Sequence, residues 1–179
     1  MKIISGKYKG RNIIGYDIEG TRPTMDRVKE SLFAMIQNYI KDSNCLDLFS
    51  GSGNLGLEAL SEGAKSCTFI DENKIAIKTI KNNLTNLGEN LDNVYLTDFR
   101  KFLRETTNKY DLIFIDPPYK TDYNNEALIL IEKNDLLNID GLVILESSSK
   151  DKFVYSEYYT IYKERKYGDK FILILNKTK

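Results

Sequence analysis

The chain has 179 residues, 41% of them hydrophobic, which is enough for one domain with its own core and too few for two domains of ordinary size. It contains 26 basic and 26 acidic residues, so its formal net charge of zero creates no global field that would indicate a nucleic-acid partner. The chain has no histidine, which excludes mechanisms that use imidazole as a base or as a zinc ligand.

Targeting and metal-binding signals are missing from the sequence. No apolar run reaches the roughly 18 to 20 residues that a membrane span requires, and the N-terminal segment is too polar for a signal peptide. We therefore expect a soluble, cytoplasmic protein without a membrane partner. Cys45 and Cys67 lie in short apolar runs with no further ligand at metal-binding spacing. They are predicted to be buried thiols, and no metal site is expected.

Residues 1–23 are predicted to form a small β-hairpin extension, because apolar and polar residues alternate between regularly spaced glycines. Residues 2–11 contain four basic residues and no acidic one, and Arg22, Arg27 and Lys29 follow. Such a local cluster is typical of a phosphate-binding surface, and a solvated surface hairpin is the alternative. The predicted phosphate-binding residues are Lys7, Lys9, Arg11, Arg22 and Arg27.

Residues 24–179 are predicted to form a helix followed by a single α/β core. From Thr24 the apolar residues fall at helical spacing, and residues 45–49 then form a buried strand. A glycine-rich turn and a second helix, which ends near Gly63, complete the first strand–turn–helix unit of a nucleotide-binding sheet.

The remaining elements repeat this alternation of strands and helices. Strands are predicted at residues 66–70, 94–96, 111–115 and 142–145, with helices at 73–87, 99–105 and 123–132 between them. Such alternation indicates a mostly parallel sheet covered on both faces. Two further strands, at 159–167 and 171–175, are joined by Gly168 and Asp169 and predict a terminal antiparallel hairpin, which makes seven strands in all.

A glycine loop with an acidic partner predicts a nucleoside site. The segment Gly51 to Gly56 matches the pattern G-x-G-x-x-G between a strand and a helix, and Asp71 ends the next strand, twenty residues after Gly51. The glycines let the ligand approach the backbone, and the Asp71 carboxylate can accept hydrogen bonds from ribose hydroxyls. The loop alone does not distinguish a dinucleotide from S-adenosylmethionine. The predicted loop contacts are Phe49, Gly51, Ser52, Gly53 and Asn54.

Two further acidic residues bear on the choice of ligand. Asp47 is a charged residue inside an apolar strand and needs a partner if it is buried. The ammonium and sulfonium of S-adenosylmethionine would suit it better than an anionic pyrophosphate, although hydrogen bonds from the loop amides are an alternative. Asp98 is placed to accept a hydrogen bond from an adenine amino group, or to cap the helix that begins at Phe99.

The most specific feature is the segment Asp116-Pro117-Pro118-Tyr119, directly after an apolar strand. Two prolines remove two backbone donors, so this strand end presents carbonyls, a carboxylate and an aromatic ring. Such a corner can hold an exocyclic amino group by accepting its hydrogens at Asp116 and at the Pro117 carbonyl, while Tyr119 stacks on the base. These four residues are the predicted catalytic site, and a turn that only ends the strand is the alternative.

At this point the sequence resembles a known family. DLFSGSGNLGLEAL, FIDEN and FIDPPY, together with ISGKYKGR and TRPTMDRVKESLF, are similar to segments of the 16S ribosomal RNA guanine-N2 methyltransferases of the RsmD family. The resemblance covers residues 1 to about 146 and implies a Rossmann-like class I methyltransferase fold. Asp71 stands where related enzymes often have glutamate. The tail after Ser147 carries no motif of the family.

The resemblance implies S-adenosylmethionine as donor and a guanine of 16S ribosomal RNA as acceptor, with guanine 966 as the family expectation. The substrate is either the small subunit or an assembly intermediate, and the enzyme is expected to be a monomer. On the family pattern Asp47, Gly51, Gly53 and Asp71 would line the donor site, and Asp116, Pro117 and Tyr119 would hold the guanine. The predicted phosphate-binding residues would then contact the RNA, and they are expected to border the acceptor face of the sheet.

Three other functions fit parts of the sequence. A dinucleotide-dependent oxidoreductase would explain the glycine loop and Asp71, but it would not explain the Asp-Pro-Pro-Tyr segment. A methyltransferase for DNA adenine or for a glutamine amide would use the same amino-group corner. A catalytically silent RNA-binding module is a further alternative, which a turnover assay would distinguish.

Overall fold

The structure, a computed structural model, describes residues 1–15, 23–118, 120–148 and 153–179, and of residues 23–25 only the helical backbone. The helices of this part are α1 (Pro23–Ile36), α2 (Asn54–Ser61), α3 (Lys74–Leu87), α4 (Phe99–Glu105) and α5 (Tyr123–Lys133). The strands are β1 (Asn44–Asp47), β2 (Ser66–Asp71), β3 (Val94–Leu96), β4 (Tyr110–Ile115), β5 (Leu137–Ser147), β6 (Tyr159–Tyr167) and β7 (Lys170–Lys177). A 3-10 turn, Gln37–Tyr39, follows α1. None of the described helices is long and apolar enough to span a membrane.

All seven strands form one sheet in the order β3-β2-β1-β4-β5-β7-β6. Strands β1 to β5 are parallel to one another, and β7 runs antiparallel to both β5 and β6. This confirms the predicted mostly parallel sheet with a C-terminal antiparallel hairpin. The hairpin joins the sheet through its second strand, so β6 is left at the edge.

The central strands are buried on both faces, and alternate side chains enter two separate cores. On β4, Leu112 and Phe114 belong to the core beneath α1, α2 and α3, whereas Ile113 and Ile115 belong to the core beneath α4 and α5. This is why β4 is an uninterrupted apolar run in the sequence rather than an alternating one.

Strands β2 and β4 are one residue longer and β7 is three residues longer than predicted, and β1 and β5 also differ from their predicted bounds. β1 ends at Asp47, two residues early, because the Ser50 hydroxyl donates a hydrogen bond to the Asp47 carbonyl at 2.6 Å and turns the chain into the glycine loop. β5 is seven residues longer than predicted, because its first residue, Leu137, pairs with β4 and its last two residues pair with β7.

The course of the helices defines two edges of the sheet. α2 and α3 begin just after the carboxyl ends of β1 and β2 and run back to the opposite edge. The carboxyl ends of parallel strands in such a sheet, at the point where the strand order reverses, form the usual ligand-binding crevice. Here that point lies between β1 and β4, which are neighbours in the sheet. We call this side the carboxyl edge and the other side the amino edge.

Residues 1–15, which we call the N-terminal arch, fold back on themselves as the hairpin prediction required, but without regular strands. One isolated antiparallel bridge joins Lys2 to Asn12. Backbone hydrogen bonds run from Ile3 N–H to the Arg11 carbonyl at 3.0 Å and from Ile13 N–H to the Met1 carbonyl at 2.8 Å. Ile3 and Ile13 are buried in the core and Met1 and Tyr8 pack against it, so apolar contacts hold the arch in place of a strand ladder.

Helix α2 provides several of the polar contacts that hold the arch. The Glu58 carboxylate accepts hydrogen bonds from the backbone N–H groups of Ile4 at 2.9 Å and Ser5 at 3.1 Å. At the end of the helix, the Ser61 carbonyl accepts one from Lys7 N–H at 2.9 Å. The tip of the arch therefore lies at the amino edge, beside the C-terminus of α2.

We expect Gly6→Ala to destabilise the protein more than Gly10→Ala. Both glycines have positive φ, +87° and +84°, so each substitution strains the backbone by about 1 to 2 kcal/mol. Only at Gly6 would the new Cβ meet protein, at 1.9 Å from the Ser61 carbonyl oxygen; at Gly10 nothing lies within 4 Å. The clash adds about 1 to 3 kcal/mol. Thermal melts of the two variants should therefore differ by several degrees, and equal melting temperatures would contradict this packing of the arch on α2.

Candidate active site at the carboxyl edge

The glycine loop lies between β1 and α2 at the carboxyl edge. Ser50, a buried residue that sequence reasoning overlooked, fixes its shape by accepting a hydrogen bond from Ile70 N–H at 3.0 Å through its hydroxyl. The Ser50 carbonyl accepts one from Gly53 N–H at 2.7 Å. Gly53 has φ +86° and is the N-cap of α2, a conformation that favours glycine. Because the N-cap is a glycine, it supplies no side-chain hydrogen bond to the first turn of α2, and the side-chain acceptor there is Asp47, which binds Gly56 N–H.

Asp47 is buried at the end of β1, and one of its oxygens already has a backbone partner. Its Oδ2 accepts a hydrogen bond from Gly56 N–H at 3.1 Å, which is the alternative role that the sequence left open. Burial raises the pKa of Asp47 to about 7, against the lowering effect of the Gly56 hydrogen bond. Among the described residues no cation forms an ion pair with Asp47, so this carboxylate suits a cationic ligand group.

Asp71 connects the end of β2 to the glycine loop. Its Oδ2 accepts a hydrogen bond from Gly51 N–H, and its Oδ1 accepts one from Asn73 N–H, both at 2.9 Å. Each carboxylate oxygen can accept a further hydrogen bond, so Asp71 can brace the loop and still accept from ribose hydroxyls. The side chain therefore lies beside the glycine loop, and its role toward a nucleoside stays a prediction.

Ser52 and Asn54 face the arch side of the loop. The Ser52 carbonyl accepts a hydrogen bond from Asn83 Nδ2 at 3.0 Å, and the same amide nitrogen donates to the Ile14 carbonyl. The Asn54 side chain accepts one from Lys29 Nζ at 2.8 Å. Lys29 therefore occupies the side-chain oxygen of Asn54, while Asn83 is a loop-supporting residue that sequence reasoning did not identify.

Asp98 caps α4, the second of the two roles that the sequence left open. Its Oδ1 accepts a hydrogen bond from Arg100 N–H at 2.8 Å, and its Oδ2 lies 3.2 Å from the Arg100 guanidinium. Phe49 lies beside it in an aromatic cluster, nearly parallel to Tyr123 with ring centroids 5.9 Å apart. These rings form an apolar wall of the crevice on its α4–α5 side.

The acceptor corner follows β4. Asp116, Pro117 and Pro118 line an open pocket, and the pocket is bounded by the ends of β4 and β5 and the starts of α5 and β7. Because β4 is the sheet neighbour of β1, this pocket adjoins the glycine loop at the carboxyl edge. The other lining residues are Lys120, Thr121, Asp122, Asn124, Glu146, Ser147, Ser148 and Lys170.

The pocket contains a pair of carboxyl groups and a lysine that the sequence analysis did not connect. Glu146 is only 6% exposed and its Oε2 lies 3.0 Å from Lys170 Nζ. Withdrawal from water and the charge of Glu146 both raise the pKa of Asp116 well above its usual range, and Lys170 opposes this effect. Asp116 itself is an exposed residue, so water partly screens the interaction.

Two of the predicted site residues, Tyr119 and Arg22, lie outside the described residues.

The basic residues of the arch, Lys7, Lys9 and Arg11, do not border the acceptor face of the sheet as expected. Arg11 donates a hydrogen bond to the Asn86 carbonyl at 2.7 Å, and Lys7 Nζ lies 3.8 Å from Glu89. Both contacts are at the C-terminal end of α3, so these cations lie at the amino edge, about 20 Å along α3 from the loop side. Lys9, also in the arch tip, is exposed.

Near the start of α1 the structure separates two neighbouring cations. Arg27 is exposed, so it remains available to RNA. Lys29, which sequence reasoning grouped with the phosphate-binding cluster, is 2% exposed and pairs with Glu58 at 3.0 Å. The assignment of Lys29 to that cluster was wrong, because its ammonium group is buried between the arch and α2.

Cys45 and Cys67 are both buried free thiols, as predicted.

The chain resembles proteins of one family along nearly all of its length. Residues 1–176 match the model of the family described as "Conserved hypothetical protein 95". The chain is 36% identical over 172 residues to "Ribosomal RNA small subunit methyltransferase D" of Haemophilus influenzae, a match that covers 94% of this chain and 89% of that protein. It is 41% identical over 150 residues to "Putative rRNA methyltransferase YlbH" of Bacillus subtilis, which covers 82% of each.

Solved structures show the same relation. The putative methyltransferase yhhF from Escherichia coli is similar with a TM-score of 0.87 at 31% identity, and the match covers 99% of this chain and 97% of that one. The putative methylase HI0767 from Haemophilus influenzae gives a TM-score of 0.85 at 31% identity, with 99% and 98% covered. Because the family match and these relatives span most of the sequence, the chain belongs to the RsmD family of methyltransferases, described as "Conserved hypothetical protein 95".

Proposed function

We propose that the protein transfers a methyl group from S-adenosylmethionine to the exocyclic N2 amino group of a guanine in 16S ribosomal RNA, with guanine 966 as the family expectation. The observation that carries this proposal is the adjacency of two strand ends. The glycine loop with Asp47 follows β1, and the Asp116-Pro117-Pro118 corner follows its sheet neighbour β4. A donor site and an amino-group site therefore meet at one edge of the sheet.

The residues around the glycine loop fit S-adenosylmethionine. Asp47 is a buried carboxylate without an ion pair among the described residues, and it complements a cationic ligand. Asp71 has acceptor capacity left for ribose hydroxyls, and Gly51 and Gly53 keep side chains out of the crevice. When bound, S-adenosylmethionine supplies an electrophilic methyl group whose carbon–sulfur bond breaks as the new carbon–nitrogen bond forms.

The acceptor corner fits an amine that needs activation. An exocyclic amino group is a weak nucleophile because its lone pair is delocalised into the ring. Asp116 and the Pro117 carbonyl can accept its two hydrogens, since neither proline presents an N–H at this corner. The surplus proton of the nitrogen after methylation can pass to Asp116, whose raised pKa makes its ionised carboxylate a better acceptor than an ordinary one. No imidazole is required, in agreement with a chain that has no histidine.

The RNA substrate is supported by the relatives. Several relatives bear the name "Ribosomal RNA small subunit methyltransferase D", among them the proteins of Haemophilus influenzae and Escherichia coli. A guanine inside folded RNA must leave its stack to reach a pocket of this kind. We propose that Tyr119 stacks on the extruded base and that Arg22 and Arg27 contact neighbouring phosphates.

The acceptor class can be tested by offering radiolabelled S-adenosylmethionine and the purified protein to small ribosomal subunits from cells that lack this protein. We expect label in 16S RNA and in neither ribosomal proteins nor added DNA. Subunits from cells that contain the protein are the control and should accept little label, because their target is already methylated. Label in protein or DNA, or none at all, would overturn the proposed RNA substrate.

The affinity for S-adenosylmethionine should increase with pH up to about 7. Asp47 has a pKa of about 7 in the free protein, and an adjacent donor cation favours its ionised form, so binding below that pH must displace a proton. The dissociation constant should then fall by up to about tenfold per pH unit between roughly pH 5 and 7 and level off above this range. Calorimetry across this range tests the effect. In Asp47→Asn the dependence should vanish, and a variant with the same pH profile as the parent would remove Asp47 from the donor site.

The arch cations are predicted to grip RNA phosphates away from the reacting base. Replacing Lys7, Lys9 and Arg11 together by alanine should raise the apparent Michaelis constant for the RNA substrate. It should also flatten the salt dependence by about 0.7 to 0.9 log units for each phosphate that is no longer neutralised. Donor affinity and melting temperature should stay near the parental values, since these side chains are exposed.

A charge-matched control is available on the other face of the sheet, where Lys101 and Arg104 of α4 and Lys133 of α5 are exposed. Their triple alanine variant should change the salt dependence less than the arch variant does. If the arch variant keeps the parental salt slope, the arch is a solvated surface, and cations nearer the pocket, such as Arg165 and Lys166 on β6, must hold the RNA.

A further inference from the structure

The acceptor pocket offers a row of hydrogen-bond acceptors beyond the Asp-Pro-Pro corner. Glu146 comes from the neighbouring strand β5, where Leu145 pairs with Ile115 directly before Asp116. The two acidic residues therefore occupy equivalent positions at the ends of adjacent parallel strands, about 5 Å apart in backbone spacing. Both line the pocket.

Asn124 at the start of α5 adds an acceptor that nothing in the described protein uses. It is 8% exposed and lines the same pocket. Its Nδ2 donates a hydrogen bond to the Glu146 backbone carbonyl at 3.3 Å, and its Oδ1 is buried with no partner among the described residues. A buried acceptor without a donor is costly, so a ligand that supplies a donor at this position would be stabilised.

Lys170 places a positive charge at the far side of this row. Its Nζ lies 3.0 Å from Glu146 Oε2, and the residue is partly exposed at the start of β7. An ammonium group has three N–H donors, so an ion pair with Glu146 is compatible with a hydrogen bond to a ligand oxygen. The pocket thus presents acceptors followed by a cationic donor.

This order of acceptors and donor in the pocket complements the hydrogen-bonding groups of guanine and conflicts with those of adenine. Guanine presents the N2 amine, then the N1–H donor, then the O6 acceptor. In adenine the ring nitrogen beside the amine is N1, which is an acceptor and would face the Glu146 carboxylate. A site built to hydrogen-bond a substrate group can reject an analogue that lacks the group by factors of about 10⁴. The pocket therefore suits a base that presents two adjacent hydrogen-bond donors, as guanine does with its N2 amine and its N1–H.

We propose that Glu146 selects guanine by accepting its N1–H while Asp116 holds the N2 amine, with Asn124 as an additional acceptor and Lys170 directed at O6. This inference rests on the proposed function and adds the residues that choose the base. It also explains why a corner that could take any exocyclic amine would not methylate adenine.

The test compares the parent, Glu146→Gln and Asn124→Leu on two kinds of small subunit. Once the methylated nucleotide has been mapped, one kind carries guanine at that position and the other carries adenine. Glutamine has the shape of glutamate but offers an N–H₂ donor, which can pair with adenine N1. We expect Glu146→Gln to lose about 10- to 100-fold in kcat/KM on guanine subunits, the effect of losing one hydrogen bond to a charged group. It should also label adenine subunits faster than the parent does. Glu105→Gln on α4, an exposed residue outside the pocket, is the control and should behave as the parent on both substrates.

Donor affinity and melting temperature separate selectivity from folding, and both should stay near the parental values. If Glu146→Gln does not fold, Asn124→Leu carries the test, because it should lose about tenfold on guanine without any gain on adenine. Unchanged guanine kcat/KM in the folded variants, or no increase in adenine labelling by a folded Glu146→Gln, would overturn the inference. A parent that labels no guanine at all would instead overturn the proposed function.

Discussion

Replacing Asp116 by alanine is expected to lower methyl transfer by roughly 100- to 1000-fold, the range for losing one preorganised group at a reacting centre. The carboxyl group follows β4 directly and lies beside the pocket rather than in the glycine loop. Its proposed contacts with the amine matter most in the transition state, so kcat should carry the loss. The affinity for S-adenosylmethionine should stay within about twofold of the parent, a difference of roughly 0.4 kcal/mol.

Single-turnover kinetics with labelled donor, together with calorimetry, measure both quantities. Asp116→Asn tests the chemistry more narrowly, because it keeps the shape of the side chain but replaces one acceptor oxygen by a donor. Asp140→Asn, at the amino-edge end of β5, changes the same charge far from the pocket and should behave as the parent. Equal losses of donor affinity and turnover in Asp116→Ala would mean that Asp116 builds the donor pocket or the fold.

Replacing Lys29 by methionine should cause the largest loss of stability among the substitutions considered for this chain. Lys29 Nζ donates hydrogen bonds to the Lys2 carbonyl and to Asn54 Oδ1, both at 2.8 Å, and pairs with Glu58 Oε1 at 3.0 Å. Both members of the pair are buried. Burial would raise the pKa of Glu58, but hydrogen bonds, together with the charge of Lys29, hold it below its usual value. Removing Lys29 leaves a buried carboxylate without its cation, which costs about 3 to 5 kcal/mol.

For a chain of this size the loss corresponds to a fall in melting temperature of roughly 6 to 20 °C. The double variant Lys29→Met/Glu58→Gln removes both charges and should be less destabilised than the sum of its single variants. Methionine has a similar length and no charge, so lost packing contributes little. A Lys29→Met variant that melts with the parent would show that the arch and α2 are not held together by this pair.

The fold could be predicted from the sequence because its signals are local. Strands β3 and β6 and helix α4 have their predicted bounds, since each apolar run ends at a polar or glycine-containing turn. The Asn73 cap and Gly88 similarly delimit α3. The predicted β5 was too short. Its first and last residues belong to the strand because they pair with β4 and β7, and no local sequence pattern indicates such pairing.

The core of the candidate site could also be predicted, because its residues are contiguous motifs. The glycine loop and Asp116-Pro117-Pro118 each follow one strand, so their positions at the carboxyl edge depend only on the parallel topology. The sequence did not connect Glu146 with Asp116, because the two residues are thirty positions apart and meet only through the register of β4 and β5. In the same way, a lysine in a helical pattern is usually solvated, and nothing local distinguishes the buried Lys29 from the exposed Arg27.

The position of the arch was the least predictable feature. A glycine-containing hairpin with four cations fits either edge of the sheet equally well. Its place at the amino edge depends on hydrogen bonds from its backbone to Glu58 and Ser61 of α2, which are more than fifty residues away in the chain. The motif identified the family, but the three-dimensional contacts decide where the cations of the arch lie.

The decisive measurement for the proposed reaction is the identity of the methylated nucleoside. Small subunits from cells lacking the protein are incubated with it and S-adenosylmethionine, and their 16S RNA is digested to nucleosides and separated by liquid chromatography with mass detection. We expect one new product, N2-methylguanosine, which appears with the parent and falls roughly 100-fold or more in rate with Asp116→Ala. A new N6-methyladenosine, or any methylguanosine modified at another atom, would contradict the proposed reaction.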